Sequence, residues 1–322
     1  MRKLSFLVLL VLALGLQSCM LTAYMVAKEQ LALNPKVLNC LKDEKVVIAT
    51  MEYPKKASAE DIEKIDRLNE FTVNMLKEHW TYCEIHDVMP FEEAKKFVWK
   101  NRGYHLLSIN NTGYRIVTNG PIPQRGDGDY GSIGIELDYF VSAMKSKPAA
   151  FEFPFTMGES FINEVSTYAS IMAFQDMLKQ IETKKIPSQQ SFPKNGKRNT
   201  DKIKNKTLLI PEYMVNNKLG EEGIKKYYKY DFEICSKEKF EEAILNGLEG
   251  YVFPLYNTVP AGKATFNQFM IYDSETWECY LALRFAQNGA SNYKIFASKD
   301  YHDFLKMNKK TWKNIAKGMK SV

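Results

Sequence analysis

The chain has 322 residues, 45% of them hydrophobic and 25% charged, with 44 Lys and Arg against 38 Asp and Glu for a net charge of +6. That length and apolar fraction exclude a disordered chain and a disulfide-stapled miniprotein, and leave room for two ordinary domains with cores of their own. The positive excess is mild and its lysines are spread among acidic residues, so the clustered footprint of a nucleic-acid binder is excluded too. The first element is a leader: Met1, Arg2 and Lys3 precede an apolar run from Leu4 to Leu16, and Gln17, Ser18 and Cys19 follow. A basic start and an apolar stretch too short to span a bilayer describe a cleaved secretory signal, residues 1–18. Losing Arg2 and Lys3 leaves 42 basic against 38 acidic residues, or +4.

Leu16-Gln17-Ser18-Cys19 resembles the lipobox of bacterial lipoproteins, and a composition rich in Lys, Asn, Tyr and Phe is similar to lipoproteins of Bacteroidetes-type Gram-negative bacteria. The resemblance covers the leader alone. It implies that Cys19 is acylated and becomes the mature N-terminus, with residues 19–36 as a tether. Met20 follows it, with no Asp to retain the protein at the inner membrane, so the resemblance implies an outer-membrane anchor facing the periplasm. Two or three acyl chains hold a protein stably, since each buried methylene adds about 0.8 kcal/mol and a single chain is marginal. The expected partners are therefore the membrane, through this lipid, and another protein of the envelope. Beyond Cys19 stand Cys40, Cys83, Cys235 and Cys279, without a CxxC; they allow three disulfide pairings, and buried free thiols are equally open.

After the tether the elements alternate. Val46 to Ala49 reads as a strand, followed by a helix from Ala59 to His79 that Ser58 caps, with Asp61 completing a capping box. Ile62, Ile65, Leu68, Phe71 and Leu76 fall near helical spacing on it. Tyr82 to His86 is the next strand, Asp87 the expected cap of a second helix that opens at Phe91 and stops at Gly103, and Tyr104 to Ile109 a third strand with hairpin material beyond. Met157 to Ile186 is a long amphipathic helix bearing Phe161, Val165, Tyr168, Met172 and Leu178. Residues 187–205 are Pro, Ser, Gln, Asn and Lys with almost no apolar side chain, a linker.

The order then recurs. Residues 82–94 align without gaps on 231–243, with Glu-Ile and Phe-Glu-Glu-Ala repeated: Ile85 falls on Ile234, Asp87 on Ser236, Phe91 on Phe240. Gly103-Tyr104 falls on Gly250-Tyr251, and Lys45 to Ala49 on Lys206 to Ile210. Phe266 to Tyr272 and Trp277 to Phe285 flank a turn at Asp273-Ser274-Glu275-Thr276, and His302 to Lys320 is a closing helix with six lysines. The expected fold is α/β, with α+β as the alternative: a tandem duplication of a strand-helix-strand-helix-strand module plus hairpin, in domains 37–186 and 206–322. The order, with its acidic Asp-x-Glu-Thr turn, is faintly similar to the α/β modules of curli-secretion lipoproteins and the TolB N-terminal family, which implies a periplasmic assembly architecture and no more.

His79, Cys83 and His86 are metal ligands by type, but strand alternation sets Cys83 opposite His86, so packing is expected. Tyr301-His302-Asp303 could orient an imidazole, yet no nucleophile elbow such as GxSxG accompanies it. In the loop from Gly120 to Ser132, Asp127 and Asp129 alternate as in a calcium loop, but Gly131 stands where a third ligand belongs; they are weak metal candidates in a binding-face loop. The lysine-rich closing helix reads as packed on the second domain with a solvated basic face, or alternatively as lying on anionic lipid. No catalytic residue and no cofactor is expected. Two functions remain: a non-catalytic binding or envelope-assembly lipoprotein, or an envelope enzyme with its site between the repeats.

Overall fold

The computed structural model describes residues 44–115, 124–125, 130–142, 145–153, 164–183, 199–216, 218–261, 264–284 and 306–319. The first half runs β1 (Lys45–Thr50), α1 (Ala59–His79), β2 (Glu84–Pro90), α2 (Phe91–Lys100), β3 (Tyr104–Arg115), the short β4 (Gln124–Arg125), β5 (Tyr130–Ser142), β6 (Lys145–Phe153) and α3 (Glu164–Glu182). The second begins with the turn α4 (Thr200–Ile203) and continues with β7 (Thr207–Pro211), α5 (Gly220–Lys225), β8 (Phe232–Cys235), α6 (Lys237–Asn246), β9 (Tyr251–Ala261), β10 (Ala264–Asp273), β11 (Cys279–Arg284) and α7 (Lys309–Met319). The fold is α/β, as expected.

One mixed sheet carries both halves. In the first, β1 pairs in parallel with β2 and β3, and β3, β5 and β6 follow antiparallel; in the second, β7 pairs in parallel with β8 and β9, and β9, β10 and β11 follow antiparallel. Strand order and direction thus coincide. The halves join where Glu152 of β6 meets Thr258 of β9 antiparallel, so the second half runs upside down relative to the first. Keeping right-handed crossovers while reversing the strands must exchange the faces that the helices cover. It does: α1 packs with Val46 and Ile48 whereas α5 lies on the opposite face with Leu208 and Ile210, and α2 packs with Val47 and Ala49 whereas α6 shares the cluster of α1.

The ladders correct the alignment read from sequence. Lys45 and Thr207 are the equivalent residues, each donating its amide to a left-handed glycine, Gly103 (φ 85°) and Gly250 (φ 81°), over 2.9 Å. Lys206 is displaced by one. Ile48 then pairs with Val88 as Ile210 pairs with Ile234, so Val88 and not Ile85 matches Ile234. The recurring Glu-Ile and Phe-Glu-Glu-Ala therefore lie three residues out of structural step. Asp87 is a strand residue; Pro90 stands at the start of α2 as Ser236 does at α6, where the serine accepts from the Lys239 amide at 3.3 Å. Phe91 begins α2 half-buried, Phe240 sits one turn into α6 at 0% exposure, and both isoleucines are on outermost strands rather than central ones. The end of α6 is set by Gly247 (φ 68°) and not by Gly250.

One helix starts later than expected, and a helical turn stands where linker was expected, at Thr200–Ile203. The closing helix starts at Lys309 because Asn308 accepts the amides of Lys310 and Thr311 at 2.8 and 3.1 Å. Near the end of the expected linker, Thr200 and Ile203 of α4 are fully buried.

Candidate functional site

The densest polar constellation among the described residues forms where α4 and β7 meet the β10–β11 turn. Asp273 ends β10, and its side chain is fully buried. Its Oδ1 accepts the amides of Glu275 at 3.1 Å and Thr276 at 2.9 Å and the Thr276 hydroxyl at 3.0 Å, while Oδ2 accepts the Tyr280 hydroxyl at 2.9 Å and the Lys206 ammonium. Lys206 also reaches Glu275 at 3.4 Å, and Glu278 holds Lys202 at 2.6 Å and Asn199 at 2.9 Å. Burial pushes the Asp273 carboxyl up, but the Lys206 bond, the Thr276 amide and the Tyr280 hydroxyl outweigh it and hold the group below the usual carboxylate range. A carboxylate offers about four lone-pair sites, and these donors use them all. No acceptor is left for a substrate proton: Asp273 fastens the turn to the approach of β7.

A second pair sits at the N-terminal ends of β1 and β3. The Nε2 of His105 contacts the carboxylate of Glu44, the imidazole is 7% exposed, and its Nδ1 is enclosed with no partner. Burial disfavours the charged ring and outweighs Glu44, setting its pKa below the ordinary value. Open α/β sheets present ligands at the opposite, C-terminal ends of their parallel strands.

The residues singled out from sequence are dispersed. His79 stacks edge-on to Tyr168 at 4.7 Å, whereas His86 stacks on Phe97 at 5.6 Å and Tyr104 at 4.7 Å across the sheet. They cannot share an ion, and no group of three potential ligands occurs among the described residues. Cys83, Cys235 and Cys279 are free thiols. Burial pushes Cys83 and Cys235 up to about 11 and Cys279 well above its ordinary value, so none is a ready thiolate at neutral pH. Cys19, Cys40, Asp127, Asp129 and Tyr301-His302-Asp303 lie outside the described residues. No described helix is long and apolar enough to cross a membrane.

Sequence reading missed both polar clusters. Asp273 was legible as a turn residue, but its burial depends on β7 arriving beside the turn, and Lys206 reads locally as the start of a strand. Glu44 and His105 are brought together by β1–β3 pairing across 61 positions and carry no local signal. No protein-family model, no curated protein and no solved structure matches the chain.

Proposed function

We propose that this chain is a lipoprotein anchored in the outer membrane through Cys19, facing the periplasm, built from a duplicated α/β module and acting without catalysis in partner binding or envelope assembly. The single observation that carries it is the leader, where Arg2-Lys3, the apolar run to Leu16 and Ser18-Cys19 stand in the order an acylated signal needs. The common strand order of the two halves supports the duplication. The saturated carboxylate of Asp273 and the protonated thiols support a role that does not turn over substrate. The enzyme reading places its site between the halves, but α3 fills that space, with Phe174, Met177 and Leu178 at 0% exposure.

The test is Cys19→Ala, followed by membrane fractionation and by metabolic labelling with a palmitate analogue. The variant should lose the label and either leave the membrane fraction or keep its leader. A variant that matures normally and still fractionates with the outer membrane would sink the anchoring reading.

A further inference from the structure

We propose that the outward face of α7 docks electrostatically onto an anionic membrane surface, a contact that goes beyond the anchoring reading and does not depend on Cys19. The helix contains Lys309, Lys310, Lys313 and Lys317, all exposed, and no acidic residue. None of the four forms an ion pair among the described residues. The other helices mix acids among their cations and pair some of them one turn away, as Arg67 with Glu63 at 3.6 Å, Lys95 with Glu92 at 3.9 Å, Lys225 with Glu221 at 2.7 Å and Lys237 with Glu241 at 3.6 Å.

The packing decides what kind of contact is available. Trp312, Ile315 and Met319 are 1%, 0% and 5% exposed against the sheet, so the apolar face of α7 is already used and cannot insert between acyl chains. Only the charge remains. Lysine ammoniums are compact point charges without the planar fork that reads individual phosphates, which suits a laterally mobile, anionic lipid surface. Nucleic acid fits less well, since no aromatic ring of α7 is exposed for stacking.

The full chain carrying Cys19→Ser, which lacks the acyl acceptor, should be floated with phosphatidylglycerol-containing vesicles and with phosphatidylcholine vesicles. A retained leader carries Arg2 and Lys3 and would itself favour the anionic vesicles, so the lysine face is read from the difference between this chain and its quadruple lysine variant. Each lysine near an anionic surface contributes roughly fivefold. We expect clear preference for the anionic vesicles, loss of it between about 0.05 and 0.5 M salt as the screening length shrinks, and a drop of up to about six hundredfold in Lys309→Gln/Lys310→Gln/Lys313→Gln/Lys317→Gln. Lys95→Gln/Lys100→Gln on α2 should change nothing. Equal binding to both vesicle types, or preference intact in a quadruple variant of unchanged melting temperature, overturns the proposal. So does a soluble polyanion, duplex DNA or heparin, that binds this face as tightly as the vesicles do. Failure here leaves the palmitate labelling of wild-type Cys19 untouched, so the two readings fail separately.

Discussion

Gln175 and Asp176 are neighbours in α3 that bond in opposite directions along the molecule. Gln175 donates to the His79 carbonyl at 2.9 Å and accepts the Thr81 amide at 2.6 Å, closing the end of α1, while Asp176 accepts the Cys279 amide of β11 at 3.3 Å. Replacing Gln175, only 1% exposed, by leucine strands a carbonyl and an amide out of water, so it should cost about 2 to 3 kcal/mol in chemical denaturation; a cost below about 0.5 kcal/mol would show water serving the same groups. Asp273 is the other residue on which much depends, and here pH is the probe. Its carboxyl is held below the usual range, so the stability it contributes is complete above the unfolded value near about 3.9 and is lost as pH falls through the lower folded value. Lys206 is raised, burial being outweighed by Asp273 and Glu275, so its share persists below about 10.4 and is lost only as pH climbs through the higher folded value. Asp273→Asn should cost about 3 kcal/mol at neutral pH and flatten the acid limb of the stability profile. An unchanged acid limb would assign acid sensitivity to other carboxylates.

The second helices show what an element's register does to identical residues. Phe240 reaches inward from α6 with its ring 6.0 Å from Phe253 and 6.3 Å from Tyr213, whereas Phe91 opens α2 half-buried with Lys95 over its ring at 5.9 Å. Phe240→Ala should therefore cost about 3 to 5 kcal/mol and Phe91→Ala on the order of 1 kcal/mol in thermal melts; equal losses would restore the equivalence that the Phe-Glu-Glu-Ala match suggested. That match misleads because local periodicity is tolerant of a three-residue slip: a helix shifted by three presents nearly the same face. Signals that are local and stereochemical read correctly from sequence, as with Ser58 and Asp61 closing the capping box of α1; Gly103 and Gly250 take positive φ, but α2 ends at Asn101 and α6 at Gly247, so neither is the helix stop expected of it. Signals that need a distant partner do not. The start of α2 lacks a side-chain cap of its own, and the Glu92 amide is met instead by Glu52 from the loop after β1, at 2.9 Å. Among candidate sites, the lysines of α7 were legible because their charges are written in one stretch of chain, while the Asp273 cluster is assembled from two, residues 199–206 and 273–280.

At the scale of the whole molecule, α3 decides whether the halves behave as one cooperative unit. A helix apolar on one stripe covers a sheet; α3 is buried nearly all round, with Ala169, Ala173 and Ser170 letting neighbours approach closely and Ile171, Phe174, Met177 and Leu178 filling the space between them. Its cluster holds Val46, Met75 and Leu107 of the first half together with Leu209, Phe240 and Phe253 of the second. Most of the apolar surface that each half hides on this face is therefore hidden against the same helix, and losing α3 exposes both sides at once. Phe174 is the natural lever, fully buried and 6.1 Å from the Trp80 ring. Phe174→Ala should cost about 3 to 5 kcal/mol, the range of buried phenylalanine truncations, and lower a single melting transition for the entire chain. Hydrogen exchange should report the same thing locally, with protection falling together at Val46–Ala49 of β1 and Val252–Leu255 of β9, although neither strand is mutated. A second transition that keeps its wild-type midpoint, with exchange unchanged in β9, would mean that the second half is held by its other cluster around Trp312 and Phe269 and stands as a domain by itself.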